Sequence, residues 1–202
     1  MKTVRIDRKE KEKMKKVNVM KLTQAAMLMG LGLILPFVTG QIPQFGKMLL
    51  PMHIPVLLCG LICGWQYGLA VGFILPLLRG AVFGMPALFP NGIAMAFELA
   101  TYGMVAGLLY SRSRWQCVAA LYKCLIAAMV AGRIVWGVAM MLISGVTGNA
   151  FTWQLFMAGA LINALPGIAI QLILIPAVMV ALNRAGLVKF RKGQKSQMVK
   201  TF

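Results

Sequence analysis

Apolar residues along the chain fall into six blocks, at about 19–38, 48–64, 67–83, 92–111, 118–144 and 154–182. Runs of roughly 17–25 apolar residues are long enough to cross a bilayer as a helix. The pattern therefore predicts an all-α, polytopic membrane protein, a bundle of six transmembrane helices over residues 19–184. Basic tails at 1–18 and 185–202 flank it. The second and third blocks are short and are joined by Gly64-Trp65-Gln66-Tyr67-Gly68. The fifth and sixth are long enough to tilt or to protrude. The first block is too long for the apolar part of a signal peptide, and no small-x-small cleavage site follows it.

Composition narrows the class further. The 202 residues are 60% hydrophobic and 12% charged, and mean hydropathy is +0.80. An ordinary soluble domain is about half apolar and a quarter charged, so a soluble enzyme, a DNA-binding domain and a secreted disulfide scaffold are excluded. The net charge of +17 comes from 21 Lys and Arg against four acids. Nine cations precede residue 22 and six lie from Arg184 onward. Charge that flanks apolar spans is a topology signal and a contact for anionic lipid, not a nucleic-acid footprint. With both termini cytoplasmic, Arg112, Arg114 and Lys123 join the same side, and only Lys47, Arg79 and Arg133 remain. The expected location is the cell membrane, with outward connections at 39–47, 84–91 and 145–153.

Chemistry-bearing motifs are sparse. Cys59 and Cys63 sit one helical turn apart, but His53 is the single histidine and no second cysteine pair has ligand spacing, so inert thiols are expected and no metal. There is no HExxH, GxSxG or P-loop, and three of the four acids lie in the N-terminal tail. The expectation is a protein that is not an enzyme, binds no cofactor and cannot itself hydrolyse ATP. A weak repeat relates Leu50-Pro51, Gly64 and Gly68 to Phe89-Pro90, Gly103 and Gly107. It reads either as related hairpins or as the common use of Gly and Pro in membrane helices.

Ionisable groups inside a membrane cost a few kcal/mol and need a reason. His53 is near the start of its block. At 1.5 Å per residue, Glu98 lies roughly 9 Å below the outer start of the fourth helix and Arg133 roughly 16 Å from the outer end of the fifth. Asn163 falls at a similar depth on the sixth. These groups collect between the outer surface and the midplane, the pattern of a solute pocket open to the outside. Asn91, Met95, Glu98 and Tyr102 share a face of the fourth helix by spacing, and Arg133 and Trp136 share one of the fifth. A guanidinium beside an indole suits a ligand with a carboxylate and an apolar body. Glu98 and Arg133 either pin two helices or also receive a ligand. His53 either binds a ligand or staples the Pro51–Pro55 segment. Arg79 is read as snorkelling to the surface. Gly92, Ala96, Ala100, Gly103 and Gly107 form a small-residue stripe that lets helix backbones approach. Ala26 and Gly30 form a shorter one on the first helix, facing either the bundle or a partner protein.

Four runs carry a family resemblance: Leu50-Pro-Met-His-Ile-Pro-Val-Leu-Leu-Cys-Gly60, Ala96-Phe-Glu-Leu-Ala-Thr-Tyr-Gly103, Gly132-Arg-Ile-Val-Trp-Gly137 and Pro166-Gly-Ile-Ala-Ile-Gln171. Together, from about 19 to 184, they resemble the substrate-binding S components of energy-coupling factor (ECF) transporters. The resemblance implies a six-helix bundle that captures a small water-soluble vitamin from outside. It implies delivery with a separate transmembrane coupling (T) protein and two cytoplasmic ATPases, which hydrolyse the ATP. It also implies that loop 39–47 is a lid and that the fourth to sixth helices line the pocket. The family's AxxxA docking motif is matched by Ala26-Met-Leu-Met-Gly30, with Gly in place of the second Ala. The His-Ile-Pro and Phe-Glu-Leu runs look nearest to members handling pantothenate-like or other, poorly assigned small solutes; the deep cation suits a carboxylate, Glu98 equally a pyrimidine or an amine, and an anionic or zwitterionic vitamin is expected. The alternatives are a stand-alone secondary transporter or channel, which would ordinarily show inverted repeats and broken helices, and a structural subunit with no ligand.

Overall fold

A computed structural model describes residues 2–38, 51–113, 117–147, 165–186 and 188, with side chains from residue 19 onward. Six α-helices run through them: α1 Lys2–Val38, α2 His53–Cys63, α3 Trp65–Phe83, α4 Ile93–Arg112, α5 Val118–Thr147 and α6 Leu165–Arg184. A π-helical turn, Leu88–Gly92, leads into α4. The described residues contain no strand. Five helical segments are long and apolar enough to cross a membrane.

Two elements depart from the apolar pattern. The first helix begins at Lys2 rather than at residue 19, because the basic stretch is rich in Lys, Glu, Arg and Met, all good helix formers. The second is shorter than the block at 48–64. Its eleven residues rise roughly 16 Å, about half the hydrocarbon thickness. Gly64, at φ 107°, ends it. Every residue of α2 except Ile62 is buried, since α1, α3, α4 and α6 all pack against it. It is therefore a core helix of the bundle, not a sixth lipid-facing span. Residues 48–50 and 154–164, also assigned to helices by the apolar pattern, lie outside the described residues, as does the proposed lid at 39–47.

Glycines bring α2, α3 and α4 into backbone contact. A Cβ on Gly60 would strike the Gly103 carbonyl, one on Gly103 the Gly68 carbonyl, and one on Gly72 the Leu99 carbonyl. The stripe on α4 is thus consumed by bundle packing. The apparent repeat has no structural counterpart: Gly64 is a turn, Gly103 is mid-helix, and Gly68 and Gly103 face each other across one interface. Gly84, at φ 69°, ends α3 in the left-handed conformation that favours glycine, and its N–H donates to the Gly80 carbonyl at 3.0 Å.

Two apolar clusters follow. One holds Leu57, Tyr102, Leu125, Met129, Ile175 and Met179, from α2, α4, α5 and α6. The other holds Ala25, Val56, Cys59, Cys63, Leu75 and Leu99, from α1 to α4. Cys59 and Cys63 are buried, free thiols in this second cluster.

Arg79 does not snorkel. It is 6% exposed, and its Nε donates to the Met85 carbonyl at 3.0 Å and Nη1 to the Leu33 carbonyl at 3.1 Å. Its guanidinium carbon lies 5.3 Å from the centroid of the Phe37 ring. Its charge ties the end of α3 to α1 and to the turn after α3.

Candidate functional site

Glu98, on α4, is the centre of a polar cluster. It is 2% exposed, and a carboxylate buried without a partner is strongly disfavoured. Three helices supply its partners. Arg133 on α5 places Nη1 3.0 Å from Oε1. Tyr102, one turn along α4, donates its hydroxyl to the same oxygen at 3.1 Å. His53, the first residue of α2, places Nε2 3.6 Å away. The His53 and Tyr102 rings are 5.1 Å apart between centroids.

Local sequence explains why these groups meet. Pro55 falls in the first turn of α2, where its missing N–H removes no intrahelical bond, so the helix starts at His53. Gly132 makes room on α5: a Cβ there would overlap the Tyr102 ring. Tyr102 therefore lies flat against α5 beside Arg133 and aims its hydroxyl back at Glu98.

The guanidinium of Arg133 is only partly used. Nη1 serves Glu98, whereas Nε and Nη2 are shielded and, among the described residues, have no hydrogen-bond partner. Nε and Nη2 form the side edge of the guanidinium, two parallel N–H donors in the geometry that grips a carboxylate bidentately.

The structure unites four of the residues expected from sequence, His53, Glu98, Tyr102 and Arg133. It does not extend the site along the whole expected face of α4. Asn91 is exposed in the π-helical turn, and Met95 packs against the second apolar cluster with Leu99. Trp136 is half-buried, one turn along α5 from Arg133. Asn163 lies outside the described residues. On α1, Ala26 is exposed and, among the described residues, nothing lies within 4 Å of where a Gly30 Cβ would stand, so the described part of the bundle does not use this pair. Among the described residues no group of His, Cys, Asp and Glu has the arrangement of a metal site.

Gln171, which closes the Pro166–Gln171 run, is a further polar residue outside the site expected from sequence. It is wholly buried on α6. The signal for it was a lone amide in the apolar run from Leu165 to Ala181.

The sequence profile of the family described as "ECF transporter, substrate-specific component" matches residues 20–179. The chain belongs to this family. The match takes in all four polar groups of the cluster and at least part of every helix of the bundle. No curated protein and no solved structure matches the chain. This substrate-specific component is thus a multi-pass membrane protein and a transporter subunit, with a polar cluster enclosed by α2, α4 and α5.

Proposed function

We propose that this substrate-specific component captures a small water-soluble vitamin bearing a carboxylate, of the pantothenate-like kind, at the Glu98–Arg133 cluster. The observation that carries the reading is the unpaired Nε/Nη2 edge of Arg133. A purely structural ion pair would need no free, shielded two-donor fork, and buried donors are normally satisfied. Glu98 holds the guanidinium in place by its far nitrogen, Tyr102 and His53 steady Glu98, and the remaining edge meets the ligand.

Both termini lie in the cytoplasm in this reading, supported by the cations that flank the spans. The cluster then faces the outside of the cell membrane. Delivery requires a T protein and two ATPases, which supply the ATP hydrolysis. The face of α1 around Ala26 and Gly30 is the docking site for the T protein, supported by the open space beside Gly30.

A thermal-shift screen of the purified protein against water-soluble vitamins tests the ligand class. Carboxylate-bearing members should raise the melting temperature, and a response confined to cationic or neutral vitamins rejects the reading. Uptake into vesicles with and without the T protein and ATPases tests the coupling. Accumulation against a gradient by this chain alone would mark it as a stand-alone transporter.

A further inference from the structure

Gln171 presents a buried amide with nothing to bond to. Among the described residues neither Nε2 nor Oε1 has a hydrogen-bond partner, and the residue is 0% exposed. Leaving buried amide groups unsatisfied forfeits the bonds they make to water in the unfolded chain and is costly. Such groups in a native fold require an explanation.

The position of Gln171 supplies one. Its helix turns Gly167, Gln171, Ile175 and Met179 inward at four-residue spacing. Ile175 and Met179 enter the apolar cluster that also holds Leu57, Tyr102 and Met129. Gln171 extends this stripe by one turn toward the start of α6. On the neighbouring helices, one turn from members of the same cluster stand His53 from Leu57, Glu98 from Tyr102 and Arg133 from Met129. Tyr122, near the start of α5, shares a groove with Val180, Ala181 and Arg184, near the end of α6, so α5 and α6 run antiparallel. One turn toward the start of α6 is therefore one turn toward the end of α5. By this spacing the amide and the free edge of Arg133 stand at the same level of the bundle, bordering the apolar cluster.

We infer that Gln171 is a ligand-recognition residue that reads an amide-type group, an N–H and a C=O, on the same molecule whose carboxylate Arg133 holds. A primary amide offers both a donor and an acceptor, so its complement is an amide or a ureide rather than a second anion or a hydrocarbon. The apolar side chains beneath take the carbon skeleton. This inference rests on the proposed carboxylate site and narrows its ligand class.

The test uses the full-length protein in detergent and four carboxylate vitamins. Pantothenate and biotin carry an amide-type group; nicotinate and lipoate do not. The wild type should bind at least one of the first pair more tightly than either of the second. Gln171→Met should weaken that binding by about tenfold or more, because a site built to hydrogen-bond a ligand discriminates strongly when the bond is lost. Its affinity for nicotinate and lipoate should stay unchanged. The melting temperature of ligand-free Gln171→Met should equal or exceed that of the wild type, since an unsatisfied amide is removed. A marked fall in that temperature overturns the inference, because the amide then has a partner within the fold. Wild-type affinity of Gln171→Met for all four compounds, or an equal loss for all four, overturns it while leaving the carboxylate site standing. Absence of binding by every carboxylate in the wild type rejects the carboxylate site and the inference with it.

Discussion

Among the described residues, two arginines lie within the bundle, Arg79 buried and Arg133 13% exposed, and they are used differently. Arg79 spends Nε and Nη1 on backbone carbonyls, those of Met85 and Leu33, and lies against the Phe37 ring. Arg133 gives Nη1 to a carboxylate and keeps Nε and Nη2 unpaired. Carbonyls of a folded backbone are fixed acceptors, so Arg79 acts as a clasp between α1, α3 and the following turn. Arg133 is held by one corner and offers an edge. Burial of a charge alone does not mark a binding site; what decides is which of its donors the fold leaves unpaired.

The largest effect should come from removing the arginine with the free edge. Arg133→Met should weaken carboxylate binding by about 2–5 kcal/mol, the range for truncating one partner of a buried charge pair. Glu98 then lacks its cation, so some stability is lost as well. Glu98→Gln combined with Arg133→Met should regain melting temperature without regaining affinity. Calorimetric titration beside thermal unfolding reads both quantities. Restored affinity in the double variant would reduce Arg133 to a helix pin and erase the distinction from Arg79.

A smaller and opposite pattern is expected at the clasp. Arg79→Met removes charge-assisted hydrogen bonds worth about 1.5–3 kcal/mol each. It should lower the melting temperature while the folded fraction binds ligand with nearly wild-type affinity. A selective loss of affinity with unchanged melting would place Arg79 in the binding machinery instead.

The smallest effect on the fold is expected away from both arginines. Gly30→Leu adds bulk where nothing lies within 4 Å, so stability should stay within about 0.5 kcal/mol, as for other surface changes. Ligand affinity should be unchanged. Co-purification with the T protein should fall, and unchanged co-purification would remove this face of α1 from the docking site.

Several of these features were legible in the sequence. The partnership of Glu98 and Arg133 was expected because Glu98 is the single acid in the apolar blocks and Arg133 lies too deep for its charge to reach water. Arg79 was misread because its partners are backbone carbonyls, one of them 46 residues away, and carbonyls leave no mark in a sequence. The face of α4 was drawn too long. Helical spacing put Asn91 and Met95 beside Glu98, but the lateral packing of α3 and α1 drew Met95 to the second cluster and left Asn91 exposed in the turn. The two small-residue stripes looked alike; one became a backbone interface of α2, α3 and α4, and the other stayed bare.

The sequence by itself determined that the chain is helical and membrane-embedded, and approximately where most helices begin and end. Those properties sum along the chain: apolar length sets a span, and Gly64 and Gly84 set where a helix stops. It also confined the costly charges to a few positions. The tertiary structure decided that α2 is a buried core helix and that Gly132 admits the Tyr102 ring. It also left the amide of Gln171 and one edge of Arg133 without partners inside the fold. Those outcomes depend on how each helix is rotated about its own axis against its neighbours. That rotation is fixed by side-chain volumes contributed from distant parts of the chain, and hydropathy along a single helix does not contain it.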